Sequence, residues 1–435
     1  MTHGEYHSWG RYPRVSQKVY RLNNRHAPLP ASDTTLLPYG NGRSYGDSCL
    51  NPGGALLDVR GLDRFITFDE TSGKLRCESG VLLSELHELA VPRGWFLPVT
   101  PGTQFVTVGG AIANDVHGKN HHRAGTFGCH VLCFELLRSD GSRRICSTEE
   151  NSEWFAATIG GLGLTGLITW AELQLRRVDS IYISAETIRF GALPEFFELS
   201  GGSDTQYEYT VAWLDCSASG RSQGRGLFTR GNHLAATDGA RKTVPQRSVS
   251  LPLTPRFSVV NGPSLRLFNA LYYHKQLSSC RRTVQHYASF LYPLDGFLHW
   301  NRLYGPDGFF QYQCVVPQES GCSAVREMLG YIARSDAGSF LTVLKVFGRK
   351  ISPGLLSFAR EGVTFAVDFP NRGERTLLLM SGLDSIVSEA GGAVYPAKDA
   401  RMTGDRFRHY FPQWKQFETN VDPLFSSGFW RRVMQ

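Results

Sequence analysis

Three groups of residues carry types and spacings that can do chemistry. The first, Gly40-Asn41-Gly42-Arg43-Ser44-Tyr45-Gly46-Asp47, sets glycines close enough together to turn backbone N–H groups toward a phosphate, and Ser44 adds a hydroxyl donor. A tight turn between two strands would use the same residues. The loop is not a Walker loop, since no Gly-Lys-Ser/Thr follows, nor a Rossmann fingerprint, since Tyr45 stands where GxGxxG needs its third glycine. The second group, Val108 to Asn120 with the preceding Pro98 to Thr103, is rich in small residues that let backbone lie against a flat cofactor. His117, His121, His122 and His130 fall in or near it. No carboxylate or cysteine pattern completes a metal site among them, and His121 and His122 read as surface residues.

The third group needs strands. In Phe309–Val316 the two-residue period puts Gln311 and Gln313 on one face and Tyr312 and Cys314 on the other. Two amides on one face can hydrogen-bond sugar hydroxyls, or can be no more than edge-strand amides. In Phe340–Phe347 the face of Leu341, Val343, Lys345 and Phe347 is apolar except for the lysine. Burying an unpaired ammonium is costly, so Lys345 either snorkels to solvent or has an anionic or polar partner. Lys398, followed by Asp399, reads from these residues alone as a surface ion pair.

The elements that must hold these groups differ along the chain. In the first 170 residues glycines punctuate short β-like runs such as Ala55–Val59 and Lys74–Glu78, with an amphipathic helix carrying Leu82, Leu83, Leu86, Leu89 and Ala90. From about Arg176 the pattern predicts longer strands at Phe309–Val316, Phe340–Phe347 and Val363–Phe369, helices at Cys322–Ser335 and Leu377–Ala390, and a short strand at Ala393–Pro396. A chain of 435 residues exceeds the size at which one core stops growing, about 250–300 residues. The expectation is an α+β protein of two domains, the second built on a helix-covered antiparallel sheet, with the last forty residues packing back on the first.

In order along the chain, PYGNGRSYGD, TPGTQFVTVGGAIANDVHGKNHHRAGTFG, GGLGLTGLIT, FQYQCVVP, FLTVLKVFG, VTFAVDFP and AKDAR resemble the FAD-dependent oxidase subunits of decaprenylphosphoryl-ribose 2′-epimerases, within the vanillyl-alcohol-oxidase (PCMH-type) class of flavoproteins. The resemblance implies an FAD-binding domain over 1–176, a substrate-binding cap over 177–394 and a segment 395–435 that returns to the first domain. It implies that Pro38, Tyr39, Gly40, Asn41, Gly42, Arg43, Ser44, Tyr45, Gly46, Asp47 and Ser48 wrap the FAD pyrophosphate. Gly102, Thr107, Val108, Gly109, Gly110, His117, Ile168 and Tyr395 would complete the cofactor site. Gln311, Gln313, Lys345 and Lys398 would line the substrate pocket, with Lys398 beside the flavin, where a cation stabilises the negative charge that builds as hydride arrives. Tyr45, His117 and Lys398 are the candidate bases, unranked by sequence. Relatives that bond FAD covalently have a histidine where this chain has Arg43, so the cofactor is expected to be non-covalent. The chain also has Ala366 and Thr364 where well-known members have Cys and Asn, which bears on substrate fit. The implied reaction oxidises the 2-hydroxyl of a polyprenylphosphoryl-ribose to a ketone, which a short-chain reductase partner would then reduce. An alditol or aldonolactone oxidase of the same fold and a non-catalytic flavin- or glycan-binding protein are the alternatives.

Composition bounds the setting. With 41% hydrophobic and 20% charged residues, and no apolar run approaching the ~18 residues of a membrane span, the chain reads as a folded soluble protein. The start lacks the apolar stretch of a secretory signal, and nine cysteines show no CxxC spacing, so a cytoplasmic location with free thiols is expected. No nucleic-acid module is recognisable. The net charge of +7 is concentrated between Arg221 and Arg256, where seven Lys/Arg face Asp238 alone. That stretch reads as a mobile basic loop able to meet an anionic membrane peripherally, or as a solvated linker.

Overall fold

A computed structural model describes residues 6–235, 248–335 and 337–435. The first part of the chain builds two small sheets. One is parallel, with the buried Ala55–Asp58 between Lys18–Arg21 and Leu36–Tyr39. The other is antiparallel, ordered Phe65–Asp69, Lys74–Glu78, Leu167–Gln174, Val131–Leu137, Arg143–Ser147. The expected amphipathic helix is Leu83–Ala90, burying Leu83, Leu86 and Ala90 and started by Glu85, whose carboxylate accepts from the Leu82 N–H at 2.8 Å.

The second part builds an eight-stranded antiparallel sheet. Its order is Cys280–His286, Tyr182–Phe190, Gly226–His233, Tyr209–Leu214, Thr342–Phe347, Gly362–Pro370, Phe309–Val316 and Ala393–Val394. The helices Gln318–Arg334 and Glu374–Glu389 cover one face, packing Val325, Met328, Leu329, Leu383 and Val387 against Tyr312, Cys314, Phe365 and Val367. The chain is therefore α+β in two domains, the second a cap on an antiparallel sheet. Boundaries differ from the sequence expectation for local reasons. The Thr342 strand starts two residues late because the Phe340 carbonyl accepts from Trp213 Nε1 (2.8 Å) and the Leu341 N–H donates to Ser339 Oγ (2.9 Å). The helix at Gln318 starts four residues early because Pro317, which has no N–H to leave unsatisfied, suits the position before a helix.

Over residues 225–233 the basic stretch is not a mobile loop. Gly226–His233 is an internal strand, Arg225 forms a two-pronged ion pair with Asp215 (3.0 and 2.8 Å), and Arg230 pairs with Glu186 (2.8 Å). Strand pairing, the buried Asp215 and the half-buried Glu186 absorb charges that composition alone left free. Arg241, Lys242 and Arg247 lie outside the described residues. At the other end, the helix Gly428–Val433 packs on Asp47–Cys49, and Arg432 ties Asp47 (2.7 Å) to Asp399 (3.1 Å).

Candidate active site

Strand register builds one wall of a cavity of about 380 Å³. Gln311 faces Asp368, and Gln313 faces Ala366, which in turn faces Val343; Lys345 faces Thr364. Cross-strand partners share a face, so these side chains turn together away from the helices, and all of them but Asp368 line the cavity. The opposite wall comes from the first part: Gly40 to Tyr45, Ser79, Gly102, Thr107, Gly109, Gly110, and Gly166 with the start of the Leu167–Gln174 strand. Pro38, Ser48, His117, Tyr395 and Lys398 also line it.

Four expected cofactor residues do not. Tyr39 turns its hydroxyl to the His7 carbonyl (2.8 Å), Asp47 is held by Arg432, and Val108 is wholly buried in the first domain's core. Gly46 is packed so closely that an added Cβ would sit 1.7 Å from the Asp399 carbonyl oxygen. These positions shape the loop from behind. His121, expected at the surface, is also buried, because its Nδ1 accepts from the Gly348 N–H (3.2 Å) and its ring lies 4.3 Å from that of Phe347.

His117 is the hub of the polar wall. Lys345 Nζ lies 3.3 Å from its Nδ1 and 3.3 Å from the Gly118 carbonyl oxygen, and the Gln313 amide end lies 3.0 Å from its Nε2 and 3.3 Å from Thr364 Oγ1. Burial, with Lys345 beside it, holds His117 well below the usual imidazole range, so the ring is neutral. An ammonium can only donate, so Nδ1 accepts from Lys345, the ring proton sits on Nε2, and Gln313 turns its carbonyl oxygen toward it. Both ring nitrogens are thereby spoken for. The polar partner required of Lys345 is this imidazole and a carbonyl; burial pushes the lysine down to about 8.

Lys398 ends a short 3-10 turn whose Ala397 carbonyl accepts from the Tyr45 N–H (2.9 Å), so it belongs to the glycine loop as much as to the sheet. Its ammonium lies 3.7 Å from the centre of the Tyr45 ring, whereas Asp399 serves Arg432 and the N–H groups of Arg401 and Met402. Lys398 and Asp399 are not a surface pair. Burial lowers Lys398 to about 7, with buried Asp368 opposing that fall; burial raises Asp368 to about 7, with Gln311 (2.6 Å) holding its Oδ1 and Lys398 favouring its anion. Burial also raises the Tyr45 phenol well above its ordinary value. Asp368 was missed in the sequence reading, although a signal was there: Thr364, Ala366 and Asp368 alternate along one strand, so the face of the first two is the face of the third.

The loop wall suits a large phosphate-bearing cofactor. Ser48 Oγ, Ser79 Oγ and Arg43 Nε are buried at the cavity with no hydrogen-bond partner in the protein. A Cβ at Gly40 would sit 2.4 Å from Thr107 Oγ1, and one at Gly109 2.9 Å from Ser79 Cβ, so the backbone there is as close to its neighbours as glycine allows. Arg43 stacks its guanidinium 4.2 Å from the Trp9 ring. Among the described residues no group of His, Cys, Asp and Glu could hold a metal ion.

The glycine-walled cavity with its partnerless donors suits a flavin cofactor, and residues 20–147 match the FAD binding domain family model, which places the chain among flavin-dependent oxidoreductases. The cofactor is FAD. The chain is 37% identical over 416 residues, 92% of its length and 89% of the relative's, to decaprenylphosphoryl-beta-D-ribose oxidase of Mycolicibacterium smegmatis. It is 32% identical over 81% of its length, and all of the relative's, to an uncharacterized Streptomyces coelicolor protein from the mprA 5′ region. Similarity to mouse L-gulonolactone oxidase, 30%, spans only 31% of the chain and 30% of that protein. The chain belongs to the decaprenylphosphoryl-β-D-ribose oxidase family.

Proposed function

We propose that this enzyme oxidises the 2-hydroxyl of a polyprenylphosphoryl-ribose to the 2-keto sugar, as the oxidase half of an epimerase whose short-chain reductase partner then delivers the arabino product. Residues 1–176 and 395–435 serve as the cofactor-binding part and 177–394 as the cap. The observation that carries the reading is the near full-length similarity to an oxidase named for that substrate, in a chain whose cavity wall gathers Gln311, Gln313, Lys345 and Lys398.

FAD, when bound, supplies the acceptor for the hydrogen and electron pair leaving the carbinol carbon. The protein's part is to hold the sugar and move the hydroxyl proton. Gln313, His117 and Lys345 form one fixed donor-acceptor array, and Gln311 is oriented by Asp368. Of the three candidate bases, His117 has no free lone pair and Tyr45 is a phenol pushed up by burial. Lys398, lowered to about 7, is the group that can be a neutral amine at working pH. Taking the hydroxyl proton makes it an ammonium as negative charge arrives on the cofactor, so one side chain serves both needs.

Anaerobic mixing of the holoenzyme with prenylphosphoryl-ribose, ribose 5-phosphate, alditols and aldonolactones tests this. Loss of the flavin's visible absorbance with the prenylphosphoryl sugar is expected; bleaching by free polyols alone would reassign the substrate. With Arg43 where a bonding histidine would stand, acid or heat denaturation should release FAD into the supernatant, and flavin that stays with the precipitate would contradict non-covalent binding.

A further inference from the structure

Twelve large hydrophobic side chains are exposed among the described residues, and nine of them fall between Val249 and Phe297. The helix Gly262–His274 shows why this is unusual. It is properly capped, Asn261 Oδ1 accepting from the Ser264 N–H (3.1 Å), and its inner stripe is fixed by Leu265 and by Asn269, which donates to Asp215 (3.1 Å). A soluble helix with one stripe packed turns charged or polar residues outward. Here Leu267 and Leu271 point outward, followed by Leu277 beyond the helix, and these three are 63–86% exposed. The preceding segment does the same with Leu253 and Phe257, 79 and 75% exposed.

This surface adjoins the mouth of the cavity. Val249 pairs with Phe297, the Leu251 N–H donates to the Leu298 carbonyl (3.1 Å), and Phe297, 57% exposed, is itself part of the cavity lining. Its charge is one-sided: from 248 to 302 the chain has six Lys/Arg, of which Arg282 pairs with Glu186 (2.7 Å) and Arg302 donates to the Pro252 carbonyl (3.1 Å), and a single acid, Asp295, which is turned inward to the Gln104 N–H (2.9 Å). Arg256, Lys275 and Arg281 are exposed. Exposed leucines and phenylalanine rimmed by cations are the chemistry of an interfacial membrane surface, the apolar side chains entering the acyl boundary and the cations meeting anionic headgroups. No helix among the described residues is long and apolar enough to cross a membrane.

We propose that the surface formed by residues 248–277 with Phe297 seats the enzyme on an anionic lipid bilayer, with the cavity mouth beside it, so that a prenyl-anchored sugar enters without leaving the membrane. This rests on the substrate reading above and shifts the membrane contact within and beyond the basic stretch 221–256, away from Arg225 and Arg230, which are ion-paired, to the apolar surface that begins at 248.

The test is flotation of holoenzyme with vesicles of phosphatidylcholine alone and of an equimolar mixture with phosphatidylglycerol, using wild type and a Leu267→Ser, Leu271→Ser, Leu277→Ser variant. These leucines are exposed, so the variant should keep its FAD and its rate with a detergent-dispersed short-prenyl sugar. Expected are binding to the anionic vesicles, at least a ~10-fold fall in that binding in the variant, and a matching fall only for substrate held in vesicles. Wild type that does not float, or a variant that floats equally well, overturns the proposal. So does sedimentation showing a wild-type dimer that the variant dissolves without any vesicle binding, which would make the occupant a second copy of the chain. If no prenylphosphoryl sugar bleaches the flavin while vesicle binding stands, the substrate reading fails and the membrane surface does not.

Discussion

The two walls of the cavity are made of different material. The loop wall is backbone and small residues, set so tightly that several positions leave no room for a Cβ. The sheet wall is long polar side chains, the amides of Gln311 and Gln313 with Lys345, Asp368 and the adjoining Lys398, and burial shifts the pKa of the three titratable ones. The first wall is positioned by steric fit and offers donors whose charge does not change with pH. The second is positioned by strand register, and its charges depend on pH and on one another. Binding and chemistry should therefore be separable by mutation.

The largest separation is expected from Lys398→Met. The side chain makes no hydrogen bond that the loop wall depends on, so FAD should remain bound, while flavin reduction by substrate slows by ~10²-fold or more, the scale of losing one preorganised charge-stabilising group. Stopped-flow reduction at full FAD occupancy measures it, and a wild-type rate would remove Lys398 from the chemistry. The converse variant is Gly46→Ala. Its methyl would collide with the Asp399 carbonyl, costing ~1–3 kcal/mol as overpacking does, and should lower both the unfolding temperature and FAD retention. Holoenzyme that does reduce its flavin should do so at close to the wild-type rate; unaltered stability would show that the loop is not held there.

The same contrast governs how much could be read from sequence. Strand alternation in Phe309–Val316 and around Lys345 was legible because a two-residue period needs only local spacing, and the sheet wall follows from it. The resemblance brought Lys398 to the flavin, whereas Asp399 beside it suggested a surface pair; only the long-range contact with Arg432, thirty-three residues on, takes that carboxylate away. His121 shows the same limit, since what buries it is Phe347, far along the chain. The basic stretch misled because composition counts charges and not their partners: Asp215 and Glu186 lie outside the window that made it look positive.

The sheet wall should also be costly to the fold. Lys398 is an ordinary ammonium near 10.5 when unfolded and is lowered to about 7 when folded. Well below pH 7 both states hold the proton and the burial penalty is full. Between about 7 and 10.5 the unfolded chain binds more protons, so stability rises with pH and the penalty fades. Lys398→Met should therefore stabilise the protein by on the order of 1–2 kcal/mol near pH 6, with the advantage shrinking toward pH 10. Denaturant titrations of the two proteins at both pH values check it; a pH-independent difference would mean that the lysine is solvated in the fold.

The smallest and most discriminating effect concerns Asp368. Its anion opposes the fall of Lys398, and Asp368→Asn removes that charge while an amide oxygen can still accept from Gln311. Lys398 should then drop below about 7, so that the neutral amine persists into more acidic solution. The acid limb of the pH profile for flavin reduction should move down by roughly 0.5–1 pH unit, about 0.7–1.4 kcal/mol of lost interaction, with little change in the plateau rate. If Asp368 only braces Gln311, the limb stays where it is. If Asp368 is itself the base, the plateau collapses at every pH instead. The profile thus distinguishes a positioning carboxylate that tunes Lys398 from a structural one and from a catalytic one, and a downward shift without loss of plateau is the one outcome in which the sheet wall works as a coupled pair of charges.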